Sequence, residues 1–152
     1  MNRTVPLLDV QHLQVSFQNK GVKIHALRDV SLQMERGQSL GVVGTSGSGK
    51  STLARCIMQL IPYQIGHVLF DGVDLGALSS NELRQLRTKF QMVFQDPGGS
   101  LNQYMRAGDI IKEPLKIHSI KRGKALKKRV HALLSHVGLV SADAMKYPHE
   151  FS

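Results

Sequence analysis

Tryptophan is absent from this 152-residue chain, cysteine occurs once, and aromatic residues make up only 5% of it. The lone Cys56 excludes an intramolecular disulfide framework and a cysteine-rich zinc site. It reads instead as a small apolar side chain in a reducing compartment. No apolar run approaches the roughly 18 residues needed to cross a bilayer. The opening stretch MNRTVPLLDVQHLQV has no apolar core of the signal-peptide kind, so export is not expected. Internal repeats, low-complexity segments and Pro/Gly-rich linkers are missing as well, which leaves one domain as the default at this length. Hydrophobic residues at 41% and charged residues at 20% suit a soluble, cytosolic globular domain rather than a disordered chain.

Negative charge is the other scarcity: 11 Asp+Glu stand against 20 Lys+Arg, a formal charge of +9. Much of the excess lies between Lys112 and Arg129, where Lys112, Lys116, Lys121, Arg122, Lys124, Lys127, Lys128 and Arg129 face only Glu113. Ala125, Val130, Leu133, Leu134 and Val137 interleave at roughly helical spacing, so the stretch reads as an amphipathic helix with a solvated basic face. A nucleic-acid surface would want interleaved aromatics and a recognised motif, and both are lacking; no nucleic-acid partner is expected. Attraction to anionic lipid headgroups or to another subunit stays open.

The chain begins with β structure. Leu8, Val10, Leu13, Val15 and Phe17 alternate loosely, Gln18 to Gly21 form a polar turn, and Val30, Leu32 and Met34 continue with period two. After a turn at Glu35–Gln38, the apolar run Ser39–Val43 predicts a buried strand. Beyond the glycines at 44, 47 and 49 the period changes. Leu53, Ile57 and Ile61 predict a helix ended by Pro62. His67–Phe70 predicts a strand leading into an Asp71-Gly72 turn, and Ser79 with Glu82 a capping box for a helix to about Lys89. Phe90–Phe94 predicts another strand. From about Arg106 the pattern is helical, in one segment toward His118 and a second from about Gly123 to Val137, stopped by Gly138. This is an α/β order with a helical appendage.

The chemistry is concentrated in Gly44-Thr45-Ser46-Gly47-Ser48-Gly49-Lys50-Ser51, a full match to G-x-x-x-x-G-K-[ST] between a strand pattern and a helix pattern. Glycines at 44, 47 and 49 permit backbone angles that a side chain forbids and keep Cβ atoms off a phosphate. Successive N–H groups can then converge on phosphate oxygens at the positive end of the following helix. Lys50 supplies a point charge for the β- and γ-phosphates, Ser51 a hydroxyl for Mg²⁺, and Thr52 reaches toward the α-phosphate. A nucleoside triphosphate is the ligand this loop predicts.

The flanking residues add a family resemblance, running from about Leu7 to the last residue. Leu13-Gln14-Val15-Ser16-Phe17 and His25-Ala26-Leu27-Arg28-Asp29-Val30-Ser31-Leu32 resemble the opening β segments of the ATP-binding subunits of ABC transporters. The resemblance implies that Phe17 stacks on adenine, a base-tolerant contact worth roughly 1–3 kcal/mol; a core aromatic at a strand end is the other reading of Phe17. Phe90-Gln91-Met92-Val93-Phe94-Gln95-Asp96-Pro97 is similar to the family's Q-loop. That implies a catalytic and metal-facing role for Gln95, which would reach Mg²⁺ and the attacking water, with the region after it meeting membrane subunits. Phe94-Gln95-Asp96-Pro97, Ser100-Leu101-Asn102 and Tyr147-Pro148-His149-Glu150-Phe151-Ser152 resemble the dipeptide, oligopeptide and nickel importers within that family, as do Glu113-Pro114-Leu115 and Val137-Gly138-Leu139. Gly98-Gly99 and Gln103 depart from that group's usual residues.

What the resemblance implies is therefore an α/β fold, a P-loop NTPase (ABC ATPase) core with an antiparallel β subdomain and the start of a helical subdomain, truncated. Residues 1–152 would be a partial nucleotide-binding domain, with the β subdomain, P-loop core and Q-loop over about 1–97 and an incomplete helical subdomain over about 98–152. The implied cofactors are ATP and Mg²⁺, held by Phe17, Gly44, Thr45, Ser46, Gly47, Ser48, Gly49, Lys50, Ser51 and Thr52, with Ser51 and Gln95 toward the metal. The implied partners are membrane subunits and a second ATPase subunit, at the inner face of the cell membrane. Asp71 and Asp96 both mimic a Walker B aspartate, but Asp71-Gly72 reads as a turn and Gln95 interrupts the apolar run before Asp96. None of the seven histidines sits in a switch-like context. The chain reaches only the first residues of the expected signature, so weak nucleotide binding with little or no hydrolysis is expected, and a non-catalytic nucleotide-binding remnant is the alternative.

Overall fold

The computed structural model describes residues 5–118 and 123–151, which fall into two compact units divided between Gln91 and Met92. Lys121 and Arg122 of the basic stretch, and Ser152 of the Tyr-Pro-His-Glu string, lie outside the described residues.

The first unit is built on an antiparallel sheet of β1 (Leu8–Asn19), β2 (Val22–Met34), β3 (Ile65–Phe70) and β4 (Val73–Asp74), in the order β2-β1-β3-β4. Two tight turns close its hairpins. Lys20 and Gly21 both have positive φ (46° and 82°), as do Asp71 and Gly72 (53° and 78°), the paired left-handed geometry whose twist matches two antiparallel strands. The loose alternation of β1 has a local cause. His12, at φ 51°, is an extra residue between Val10 and Leu13, and it returns Leu13 and Val15 to the face that carries Val10. Asp29, at φ 56°, is a compensating extra residue on β2, and the two side chains meet, with His12 Nδ1 2.7 Å from Asp29 Oδ1.

Helix α1 (Lys50–Ile57) covers the inward face of the sheet, placing Leu53 and Cys56 against Val10, Leu13, Val15, Leu27, Val68 and Leu75. Each large side chain so buried contributes roughly 1.5–3 kcal/mol relative to exposure. Helix α1 stops well short of Pro62. Gln59 turns left-handed (φ 53°), its N–H donates to Cys56 O at 2.9 Å, and Leu60 N–H donates to Arg55 O at 2.8 Å. Those two bonds satisfy the last carbonyls and end the helix before the proline can. Helix α2 (Ser80–Leu86) begins with the expected capping box: Ser79 Oγ accepts from Glu82 N–H, and the Glu82 carboxylate accepts from Ser79 N–H at 2.9 Å.

Two predicted strands are absent. Ser39–Val43 and Phe90–Phe94 are non-helical and belong to no ladder, and Val42, Val43, Val93 and Phe94 are exposed. Their composition favours strand, but a strand exists only where a neighbour takes its N–H and C=O groups, and no described segment pairs with either.

The second unit contains α3 (Pro97–Ser100), α4 (Ala107–Ile117) and α5 (Gly123–His136), with short 3₁₀ turns at Ser141–Met145 and Pro148–Glu150. Leu115 from α4 packs with Leu126, Val130 and Leu134 from α5, and Ala144 joins them from the first turn. Gly108 lets α4 meet that turn closely: a Cβ there would lie 2.8 Å from Ala144 O. Helix α5 ends at the predicted glycine. Gly138 has φ 78°, its N–H donates to Ser135 O, and Leu139 N–H donates to Leu134 O at 3.0 Å. No helix among the described residues is long and apolar enough to cross a membrane.

Candidate functional site: the glycine-rich loop and the start of helix α1

The loop Gly44–Gly49 runs exposed from the extended 39–43 segment into α1. Two of its glycines are required by geometry. Gly47 is left-handed at φ 78°, and Gly49 at φ 94° has no room for a side chain, because a Cβ would fall 2.5 Å from Ala26 O and 3.0 Å from Leu27 Cδ2. The loop is thus seated on the middle of β2. Gly49 is also the N-cap of α1 and offers no capping side chain, and the first turn holds no acidic residue. The amides that open α1 are left for an external acceptor, at the end of the helix where the dipole favours negative charge.

Lys50 sits at the head of that helix, half-buried, and its ammonium folds back over the loop. Nζ donates to Gly44 O at 2.8 Å, to Thr45 O at 2.7 Å and to Ser48 Oγ at 3.3 Å. This holds a positive charge over the loop, in which the Ser48 N–H already donates to Thr45 O at 3.3 Å. Ser51 is exposed on the first turn and Thr52 half-buried beside it. A fixed cation beside the uncapped amides that open α1 fits a polyphosphate, and the Ser51 hydroxyl is the oxygen donor type that Mg²⁺ takes alongside phosphate and water.

Phe17 lies near the end of β1, opposite Ile24 and partly exposed at 41%. It is therefore not a core aromatic. Phe17 stands two residues beyond Val15, whose partner Leu27 is one of the residues that seats Gly49. A residue that sequence reasoning missed braces this strand: Gln64 Oε1 accepts from Ser16 N–H at 2.8 Å, and Gln64 N–H donates to Gln14 O at 3.1 Å. Forty-eight residues separate Gln64 from Ser16, and nothing in the local sequence signals the contact. The Ala26–Leu27 seat was equally invisible.

Gln95 belongs to the second unit, exposed, just before α3. Asp96 beside it caps α3, its Oδ1 accepting from Gly99 N–H at 3.0 Å. Asp71 stands in the β3–β4 turn. Among the described residues no group of three or more His, Cys, Asp or Glu side chains is arranged to hold a metal ion.

The profile of the ABC transporter family matches residues 27–152. The chain belongs to that family. It is 44% identical to the oligopeptide transport ATP-binding protein OppF of Haemophilus influenzae, over 96% of this chain and 47% of that protein. Against OppF of Bacillus subtilis it is also 44% identical, over 98% of this chain and 50% of that protein. The glutathione import ATP-binding protein GsiA of Escherichia coli is 43% identical over 86% of this chain and 21% of its own length. The chain thus spans about half the length of the OppF relatives and a smaller part of GsiA. Among solved structures, the ATP-binding cassette MJ0796, in a dimeric post-hydrolysis state bound to ADP and Pi, superposes with a TM-score of 0.80 at 26% identity, covering 95% of this chain and 63% of that one. The fold is accordingly that of an ABC ATPase cassette, a nucleotide-binding fold, and the antiparallel sheet with α1 and the helical unit is the part of it seen here.

Proposed function

We propose that this chain is the ATP-binding part of an ABC importer subunit that couples ATP binding and hydrolysis to uptake of di- or oligopeptides, or nickel. The observation that carries the nucleotide reading is the uncapped start of α1 under the Lys50 ammonium, in a loop that only glycine at position 49 can bring onto β2. The substrate class rests on OppF and GsiA, whose names describe oligopeptide transport and glutathione import.

In this reading the amides of residues 45–51 and Lys50 bind the β- and γ-phosphates. Thr52 faces the α-phosphate, Phe17 stacks on the base, and Ser51 and Gln95 hold Mg²⁺, Gln95 also orienting water. Residues up to about 97 form the β subdomain and loop core, and those from about 98 the helical subdomain that meets membrane subunits at the inner face of the cell membrane. A second ATPase subunit completes the working assembly, as the dimeric state of MJ0796 suggests for a related cassette. Phosphoryl transfer depends on positioning and charge around the γ-phosphate, and in this reading neither Asp71, in the β3–β4 turn, nor Asp96, at the cap of α3, serves as the catalytic base. These 152 residues are therefore expected to bind Mg²⁺-ATP with turnover at background.

Calorimetry and phosphate release on the purified chain, beside Lys50→Ala, test this. Saturable Mg²⁺-ATP binding lost in the variant, without turnover, supports the reading. Binding that persists in Lys50→Ala sinks the loop as the site, and Lys50-dependent turnover sinks the claim that a further carboxylate is needed.

A further inference from the structure

The basic stretch that sequence reading left without a role lines part of a cleft in the second unit. Helices α4 and α5 and the Ser141–Met145 turn enclose a cavity of about 400 Å³. Arg106 at the N-cap of α4 and Lys112 on that helix line it, with Lys127 and His131 from α5 and Ser141 from the turn; Asp109 is the one carboxylate among the lining residues. Arg106, Lys112 and His131 are half-buried, while Lys127 is exposed.

The charges do not cancel. Asp109 is committed to Lys112, whose Nζ lies 2.8 Å away. Arg106 spends one guanidinium nitrogen on Met145 Sδ at 3.5 Å, rests 5.8 Å from the Tyr147 ring centroid and feels the Asp109 charge, but its N–H fork has no oxygen acceptor among the described residues. Lys127 makes no ion pair or hydrogen bond among the described residues. Arg106, Lys127, an imidazole and a hydroxyl thus line a cleft whose one carboxylate already pairs with Lys112, over a floor that includes Val130, which is 1% exposed. Apolar walls lower the local dielectric and strengthen attraction to an incoming anion. An arginine fork, a lysine point charge and neutral donors together match a tetrahedral oxyanion. The space also exceeds one phosphate, leaving room for a small substituent.

We propose that this cleft binds a phosphate group, either free or as the phosphate of a small ester or lipid headgroup, at a site separate from the glycine-rich loop. The proposal does not rest on the transport reading. It also separates the residues of the basic stretch. Lys127 lines the cleft and Lys128, next to it, does not, so the two should behave differently although their charges are the same.

The test is a ¹H–¹⁵N NMR titration of the full chain with inorganic phosphate, read at Ser141, His131 and Ala144, in the wild type and in Lys127→Ala, Lys128→Ala and Lys50→Ala. Saturable shifts at those residues are expected, weakened about tenfold by Lys127→Ala, as loss of one charge-assisted donor implies. Lys128→Ala and Lys50→Ala should leave them unchanged. Vesicles of phosphatidylglycerol, beside phosphatidylcholine vesicles, then identify the source. Lys127-dependent competition by phosphatidylglycerol alone assigns a headgroup, and no competition assigns a free phosphate or soluble ester. Equal losses in Lys127→Ala and Lys128→Ala would reduce the effect to diffuse charge and overturn the proposal. So would unsaturable shifts, or shifts confined to the Lys50 loop.

Discussion

The Lys50 ammonium lies 2.8 Å from the carbonyl oxygen of Gly44, six residues before it, so the lysine closes the loop on itself with the hydrogen bonds that an anion would compete for. The acceptors it holds are backbone carbonyls of an exposed loop, which water can serve when the side chain is removed. Lys50→Ala should therefore leave unfolding free energy within about 0.5 kcal/mol of wild type. Its nucleotide affinity should fall by at least about tenfold, the loss of a charged hydrogen-bond donor. Lys50→Arg should also bind weakly, because a planar guanidinium cannot replace a compact ammonium folded into a turn. Parallel denaturant melts and calorimetric titrations check both halves. A strongly destabilised Lys50→Ala would make the lysine a structural staple rather than a ligand group.

The bulge at His12 depends on a glycine across the sheet. A Cβ on Gly66 would lie 2.5 Å from Gln11 O and 2.7 Å from His12 O, at a φ of +103°. The obstructing atoms are backbone and cannot rotate aside. Gly66→Ala is expected to destabilise the first unit by at least about 2 kcal/mol, combining strained φ with displacement of β1. Gly37, at φ +77° with nothing within 4 Å of a new Cβ, is the matched control. Gly37→Ala should cost only about 1 kcal/mol. Urea melts followed by circular dichroism compare the pair, and equal losses would mean β3 does not approach β1 this closely.

How much of this was legible in the sequence depends on how local the cause is. The Asp71-Gly72 turn, the Ser79–Glu82 cap and the Gly138 stop are each decided within a few residues, and the structure has all three. The glycine-rich loop could be read as a phosphate cradle because its residues act through their own backbone. Elements decided at a distance escaped. Ser39–Val43 and Phe90–Phe94 have strand composition but no partner among the described residues, and α1 ends at Ile57 because Gln59, a non-glycine residue just beyond it, takes the left-handed angle. The seat of Gly49 on Ala26 and the Gln64 brace on Ser16 join distant parts of the chain. Phe17 and Gln95 were singled out by resemblance, and no local pattern would have picked either.

Cys56 offers a clean report on the first unit. Its side chain is 0% exposed between α1 and the sheet, and burial pushes the thiol pKa up. A thiol that ionises reluctantly behind a packed core reacts only when the core opens. Modification by a disulfide reagent at pH 8 should be on the order of 100-fold slower in buffer than in denaturing urea. Mg²⁺-ATP should slow it further if nucleotide at the head of α1 stabilises the helix that carries Cys56. Rapid stoichiometric labelling without denaturant would contradict the packing of α1 on the sheet.

Acid should undo the second unit through Asp143. Its carboxylate accepts from Val140 N–H at 2.8 Å and faces Lys146 Nζ at 2.7 Å. The Lys146 hydrogen bond, then the Val140 amide, hold its pKa below the ordinary aspartate range, and Lys112 does the same for Asp109. A carboxylate whose folded pKa is depressed binds protons more readily in the unfolded chain. Stability is therefore fully present above the ordinary aspartate range and is lost as pH falls below it, through the depressed folded-state value. Asp143→Asn removes the ionisable partner, so it should melt lower than wild type at pH 7 and lose less on acidification. Thermal melts of both proteins from pH 7 to pH 3 give the comparison. The two curves should converge at the acid end, because protonation does to Asp143 what the substitution does at every pH. Curves that stay parallel would mean that Asp143 carries none of the acid sensitivity, and that the turn at Ser141–Met145 is held by packing of Ala144 against Gly108 instead.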